Sequence, residues 1–379
     1  MSRLATRLVI SAALVAGACG GSTATRRIQS TGPRPQVQLD PVKPEARREF
    51  DAAMRALRLG GPEAPATAAA RLAAAVEIDG QLWEAWHDLG VLRSSAGDDD
   101  AALAAFDKAL SVNPASVPTR LARAEARRAA GKPKDARADY EQVLREAAPD
   151  DPLRRDTAAR LASLVRDAGD FDDAIDVLRD TLRVSGANSR IYTELGLAYL
   201  AQGRLELAAL VLNRAIELDE KDPAAFNAMA LLYLRQGKAQ EAFDRFDHAT
   251  ALDPGYLDAR FNKASVLLDA GDFDRAKVEL DTILGRRADD WDAKVALGVV
   301  QRGQKAFDAA KKTWDEVVQK APRRSRARGD ALWNLATLKS DYLEDVPGAK
   351  ADLERFLQDA GTAHPKRVAA EQKRKELGI

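Results

Sequence analysis

Residues Ser189–Tyr256 contain one pattern written twice, as SRIYTELGLAYLAQGRLELAALVLNRAIELDEKD and then PAAFNAMALLYLRQGKAQEAFDRFDHATALDPGY. Counted from its first residue, each 34-residue copy has an aromatic residue at positions 4 and 11, a small residue at 8 and Gly at 15. Ala follows at 20, a large apolar residue at 24 and Ala at 27. Positions 4, 7, 8 and 11 lie on one face of a helix, and Gly readily adopts the left-handed conformation that ends one. The pattern predicts two helices, A and B, joined at the Gly.

This helix–turn–helix pattern of 34 residues resembles the tetratricopeptide repeat, or TPR. One such unit cannot bury its apolar face alone, so neighbouring units stack and share a continuous core. The resemblance implies an all-α solenoid, coiled as a right-handed superhelix, whose A helices line a concave groove for peptide segments.

The same register extends over most of the chain. Units begin at residues 49, 83, 117, 155, 189, 223, 257, 291 and 329. Two of these steps are four residues longer than the rest, with insertions at Asp151–Arg154 and Ser325–Arg328 that we interpret as longer loops. The first unit has GGPEAP, from Gly60 to Pro65, as its turn, and the last needs one inserted residue. We therefore predict about nine units over residues 45–361 and a capping helix over residues 362–379.

Residues 1–18 have the features of a secretory signal peptide. Arg3 and Arg7 precede an apolar run, Leu8–Ala18, that is too short to span a bilayer as a helix. Ala16-Gly17-Ala18-Cys19 resembles the lipobox of bacterial lipoproteins, although that family usually has Leu where this chain has Ala16. Cys19 is the single cysteine, so an internal disulfide is excluded and lipidation is its expected role. The alternative is an ordinary signal peptide, or a buried helix, with an incidental cysteine.

The segment after the cysteine is predicted to be a flexible tether over residues 19–44. It is rich in Gly, Ser, Thr, Gln and Pro and lacks helical periodicity. In the lipoprotein family an Asp after the Cys often signals retention in the inner membrane. Gly20 stands there, so the resemblance implies the periplasmic face of the outer membrane.

Composition and motifs argue against several functions. Lys plus Arg and Asp plus Glu each total 58, so the formal net charge is zero, which argues against nucleic acid as the main partner. The three histidines lack metal-ligand spacing, and no P-loop, GxSxG or dinucleotide motif occurs. We expect no enzyme activity, cofactor or metal. Asp289 and Asp290 are interpreted as helix caps.

The candidate partner site is the side of helix A opposite the stripe that packs inside the hairpin. Positions 5, 9 and 12 point away from the packing stripe, and in the central units they are mostly apolar. The predicted partner-binding groove comprises Leu197, Leu200, Asn227, Leu231, Leu234, Phe261, Leu268, Val295 and Val299. The alternative is that neighbouring units, the C-terminal tail or the tether cover some of these residues. The basic run Lys320–Arg328 has two interpretations. It contacts lipid headgroups or an acidic partner, or it is a solvated loop.

These patterns favour a non-enzymatic, lipid-anchored scaffold that binds envelope proteins or their peptide segments. Repeat number and composition resemble the TPR lipoproteins of gliding motility most, and type IV pilus assembly is a related expectation. A docking regulator of cell-wall hydrolases and an accessory lipoprotein of β-barrel assembly remain alternatives. A cytoplasmic chaperone adaptor is excluded if Cys19 is processed.

Overall fold

All regular secondary structure in the described residues is helical. The computed structural model describes residues 39–361 and 364–378, so the predicted signal peptide, Cys19 and most of the tether lie outside the described residues. Within them are nineteen α-helices and no strand, which confirms the all-α prediction. The helices are α1 Pro44–Leu59, α2 Ala64–Ile78, α3 Trp83–Ser95, α4 Asp99–Val112, α5 Val117–Ala129, α6 Pro133–Glu146, α7 Pro152–Asp167, α8 Phe171–Ser185, α9 Ser189–Ala201, α10 Leu205–Leu218, α11 Pro223–Arg235, α12 Ala239–Leu252, α13 Leu257–Asp269, α14 Phe273–Arg286, α15 Trp291–Gly303, α16 Phe307–Lys320, α17 Arg326–Asp341, α18 Val346–Asp359 and α19 Arg367–Glu376.

The helices pair into hairpins, with odd-numbered helices from α1 to α17 as helix A of each repeat. The glycine predicted at position 15 lies in the turn of six repeats. These glycines, with φ between 69° and 88°, are Gly97, Gly131, Gly169, Gly203, Gly237 and Gly271. Lys305 occupies the same position in the next repeat and keeps the left-handed conformation, with φ 62°. In the last repeat this conformation falls at Glu344, one residue later, as the predicted insertion requires.

Small and large residues meet inside each hairpin. A Cβ atom built on Gly90 would lie 2.6 Å from the Phe106 ring, and one built on Gly298 would overlap the indole of Trp314. Phe106 and Trp314 are almost completely buried. The small residue at position 8 therefore lets the large residue at position 24 cross directly over helix A.

The chain divides into two compact units. The N-terminal unit ends at Val211 and the C-terminal unit begins at Leu212, within α10. In the C-terminal unit one apolar core cluster extends from Leu257 on α13 to Ala370 on α19. In the N-terminal unit a cluster joins α1, α2 and the start of α3. Within each unit, stacked hairpins share their cores, as expected of repeats.

The loops before α7 and α17 have five residues, against four before most other A helices, so the interpretation as longer loops was wrong for most of the inserted residues. They add a turn to the start of a helix A instead. Helices α7 and α17 each have 16 residues, whereas α3, α5, α9, α11, α13 and α15 have 13 each. Asp151 and Ser325 cap the lengthened helices, since their side chains accept hydrogen bonds from the backbone amides of Leu153 and Arg328.

An arginine in each added turn caps the preceding helix B. Arg154 Nη1 donates to the carbonyl oxygen of Ala147 at 3.0 Å, and Arg328 donates to that of Val318. On α19, Arg367 Nη1 donates to Ala360 O at 3.2 Å, so the C-terminal helix repeats this contact at the end of α18. A cation at these free carbonyls also favours the helix dipole. The inserted turns therefore fix the junctions between repeats.

Candidate functional site

The structure buries most of the predicted groove. Leu200, Phe261, Leu268, Val295 and Val299 are at most 7% exposed, and Leu231 is 8% exposed. Leu197 and Leu234 are half-buried. Most of these side chains are therefore covered, which agrees with the alternative that neighbouring units cover them. The reason is that helices A of consecutive repeats pack on one another, as α13 does on α15 and α15 on α17, and positions 5, 9 and 12 fill that contact.

Asn227 is also committed to packing between repeats. Its Oδ1 accepts a hydrogen bond from Asn262 Nδ2 at 3.0 Å, and both side chains are buried. Tyr256 Oη lies 3.5 Å from Asn227 Nδ2. This hydrogen bond ties α11 to α13, so Asn227 serves the packing between repeats.

Two of the predicted residues, Phe261 and Val295, do line an open cavity in the C-terminal unit. It has a volume of about 460 Å³ and lies between α13, α15 and α17. Its other lining residues come from the start of α15, the start of α17 and the loops before them. They are Arg287, Asp289, Asp290, Trp291, Asp292, Ala296, Pro322, Ser325, Arg326, Ala327 and Asp330. We call this cavity the C-terminal pocket.

The inserted turn of α17 forms one wall of the C-terminal pocket. Ser325, Arg326 and Ala327 belong to the insertion or its cap, and all three line the cavity. The basic run, interpreted from sequence as a loop, thus lies partly in this helical turn. On the opposite wall, Asp290 caps α15 by accepting a hydrogen bond from the Ala293 amide at 3.0 Å. This confirms the predicted capping role of Asp290.

Carboxylates outnumber cations in the lining, with four aspartates and two arginines. Asp289 is exposed and has no ion pair or hydrogen bond within the described part of the chain. Asp330 lies 3.6 Å from Arg326 Nε, and burial raises the pKa of this carboxyl group. Because burial disfavours the charged form, a cation entering the pocket would stabilise the ionised Asp330.

The C-terminal segment places His364 next to Asp330. His364 Nε2 lies 3.9 Å from Asp330 Oδ1, and the ring packs edge-on against Phe356 with centroids 4.9 Å apart. A Cβ on Gly329 would come within 2.8 Å of His364 Nε2, so glycine leaves the space that the imidazole fills. Burial lowers the pKa of both His364 and Lys366. His364 therefore packs beside Asp330 without a hydrogen bond to it.

The A helices of the N-terminal unit present a charged face. Arg160 donates to Glu125 and to Asp156, each at 2.7 Å, and thereby connects α7 to α5. Arg166 lies 3.4 Å from Glu194 on α9, and burial raises the pKa of Glu194. The Arg160–Glu125 and Arg166–Glu194 pairs join neighbouring A helices, and Glu125 and Arg166 stand at positions 9 and 12 of their units.

Sequence reasoning missed Trp291, Asp289 and Asp330 as site residues. They lie at or just before the beginnings of helices A, outside positions 5, 9 and 12, where the groove is predicted. The signals were present, because the acidic and aromatic run Asp289–Asp292 precedes the basic insertion by one repeat. In the described part of the chain, no cluster of three or more His, Cys, Asp or Glu side chains is arranged to hold a metal ion. None of the described helices is long and apolar enough to cross a membrane.

Comparison with known families agrees with the repeat register. Family models with the description "Tetratricopeptide repeat" match residues 84–116, 159–223, 233–296 and 267–332, which together cover more than half of the chain. The protein belongs to the tetratricopeptide-repeat family, whose members bind peptides or proteins.

Curated relatives share only the repeats. The "Tetratricopeptide repeat and J domain-containing co-chaperone DNJ1" of Cryptococcus neoformans is 33% identical over 90 residues, covering 24% of this chain and 17% of the relative. "Anaphase-promoting complex subunit 3" of Schizosaccharomyces pombe is 30% identical over 122 residues, covering 32% and 18%. The chain thus spans less than a fifth of these two proteins.

Solved structures share the fold. The human IFIT1 dimer with PPP-AAAA matches with a TM-score of 0.60 at 14% identity, over 90% of this chain and 86% of that one. A chain of the APC/C hetero-tetramer Cut9–Hcn1 matches with a TM-score of 0.51 at 17% identity, over 76% and 54%. At these identities the likeness establishes the helical-repeat fold alone.

Proposed function

We propose that this protein is a non-enzymatic scaffold that binds a segment of a partner protein in the C-terminal pocket. The observation that carries the proposal is the cavity of about 460 Å³, which combines aromatic and charged residues on the A helices of three consecutive repeats. The volume lies within the range of ligand sites in proteins, and six of the thirteen lining residues are apolar or aromatic. The charges of the N-terminal face, by contrast, are used in ion pairs between its own helices.

The second part of the proposal is a membrane anchor at Cys19. The charged start, the short apolar run and the lipobox-like sequence support lipidation at this residue, with residues 19–44 as the tether. The location that follows is the periplasmic face of a bacterial outer membrane. A lipid anchor that confines the protein to the membrane raises its effective concentration for partner proteins at the same membrane. Weak contacts in the pocket then suffice for assembly.

For the pathway, we propose gliding motility first, because high repeat number and composition resemble the TPR lipoproteins of that machinery. Type IV pilus assembly, β-barrel assembly and docking of cell-wall hydrolases predict different envelope partners. The identity of the proteins recovered by crosslinked capture decides between them.

The pocket is tested by crosslinked capture from solubilised envelopes with the full chain. Trp291→Ala opens the pocket wall, whereas Trp83→Ala removes the same residue type from the same repeat position in the N-terminal unit. Wild type and Trp83→Ala are expected to recover the same envelope proteins, and folded Trp291→Ala to lose them. Equal recovery by all three proteins would contradict a role for the pocket.

The anchor is tested by the intact mass of the protein purified from its native membranes. We expect a chain that begins at Cys19 and carries added acyl mass, and a Cys19→Ser variant that leaves the membrane fraction. An unprocessed Met1 or an unmodified Cys19 would contradict the anchor while leaving the pocket proposal intact.

A further inference from the structure

We propose that the C-terminal pocket selects a basic partner segment by receiving an arginine side chain. This inference rests on the proposed function, because it names the chemistry of the segment that the pocket binds. The charge balance of the lining supports it, with four aspartates against two arginines. A guanidinium group fits both features of the cavity, since it stacks on aromatic rings and binds carboxylates through two parallel hydrogen bonds.

The carboxylates are not equally available to a ligand. Asp290 caps α15, and Asp330 is already near Arg326 at 3.6 Å. Asp289 is exposed at the mouth and has no partner in the described part of the chain. Asp292 stands one residue beyond Trp291 on the same wall. An arriving cation therefore meets Asp289 first and reaches the half-buried Asp330 deeper in the cavity.

The aromatic wall supports a cation as well. The Trp291 ring already has a cation beside it, because Lys294 Nζ lies 5.0 Å from the ring centroid. Lys294 itself does not line the pocket. Phe261 and Val295 give the cavity an apolar base, on which the methylene chain of an arginine can pack. A second cation near the Trp291 indole adds a further cation–π contact.

An anionic segment fits this site poorly. Arg326 lies near Asp330, which leaves Arg287, an exposed residue at the end of α14, as the other cation of the lining. A carboxylate or phosphate entering the cavity would meet Asp289, Asp292 and Asp330 among the lining residues. Like charges held together in a partly desolvated site disfavour binding, so the pocket discriminates against acidic segments.

The probe for this inference is a nine-residue peptide with a central arginine flanked by leucines, together with a twin that carries neutral citrulline. The full chain is labelled with 5-fluorotryptophan, and the Trp291 resonance is assigned among the five tryptophans by its loss in Trp291→Phe. Titration is expected to shift this resonance with the arginine peptide and to give binding at least about fivefold weaker with the twin.

Matched variants locate the charge effect. Asp289→Asn is expected to weaken the arginine peptide about fivefold and to leave the citrulline peptide unchanged. Asp308→Asn removes an exposed aspartate from the start of α16, outside the pocket, and is expected to change neither. Raising the salt concentration is expected to reduce the difference between the two peptides.

The outcomes separate this inference from the proposed function. If both peptides shift Trp291 with equal affinity, the pocket binds segments without reading charge, and the inference falls while the proposed function stands. If neither peptide shifts Trp291, the inference is overturned, and the capture experiment alone decides the role of the pocket. Equal effects of Asp289→Asn and Asp308→Asn would also overturn it.

Discussion

Replacing Gly298 with alanine tests the small-over-large packing inside a repeat, because the sign of the effect is at issue. In an ordinary helix interior, Gly→Ala stabilises by about 1 kcal/mol. Here the new methyl group would overlap the indole of Trp314, which is fully buried and donates from Nε1 to Val295 O at 3.0 Å. Overpacking costs about 1–3 kcal/mol and a disturbed buried hydrogen bond about 1 kcal/mol more. We expect a net loss of about 2 kcal/mol.

The assay is urea denaturation followed by far-ultraviolet circular dichroism, with a matched glycine as the control. Gly285 lies in α14 with open space where a Cβ would stand, so Gly285→Ala is expected to be neutral or to stabilise by up to about 1 kcal/mol. In a Trp314→Leu background, Gly298→Ala should cease to destabilise, because the preceding repeat pairs Ala264 with Leu280 at the same positions. A stable Gly298→Ala single variant would refute the packing argument.

Three further changes test the turns and the buried charges. Lys305→Gly is expected to stabilise the protein by about 1 kcal/mol, because Lys305 has φ 62° where other repeats use glycine. Gly271→Ala is expected to destabilise it by a similar amount for the same reason. Denaturant midpoints that move in the opposite directions would contradict this. Burial raises the pKa of Glu194 above its ordinary 4.5, so its ionised form is penalised as pH rises through that value. The stability of Glu194→Gln relative to wild type should therefore increase from pH 4 to pH 7, and a flat difference would contradict the direction of the shift. Burial lowers the pKa of His364 below 6.5, so protonation of this side chain opposes folding. Wild type should therefore lose more stability than His364→Phe as pH falls through 6.5. Equal losses in thermal melts, with Asp330 present in both proteins, would contradict this.

The repeat architecture could be predicted from sequence because its determinants are local. Gly at position 15 and the small and large residues at positions 8 and 24 act within one hairpin, so a single column of sequence reveals each contact. Glu344 shows that even the inserted residue of the last repeat could be placed from the register. The limit is Lys305, where the turn conformation persists without the glycine that signals it.

The site was harder to predict because it depends on contacts between repeats. Phe261 and Val299 lie on a helix face that one repeat does not need, yet the next helix A covers it. The pocket wall around Arg326 depends on whether four inserted residues extend a helix or a loop, which the repeat spacing alone does not specify. The sequence predicts that Asp289 and Asp290 both cap a helix, whereas only Asp290 does so.

The most direct test of the C-terminal pocket is photo-crosslinking in the native cells. A benzoylphenylalanine placed at Asp289 lies at the mouth of the pocket, and one placed at Gln81 occupies the same repeat position, also exposed, in the N-terminal unit. We predict that illumination joins a discrete envelope protein to position 289 and not to position 81, and that Trp291→Ala abolishes the product. Crosslinks of equal yield at both positions, or a product unaffected by Trp291→Ala, would contradict the pocket as the partner-binding site.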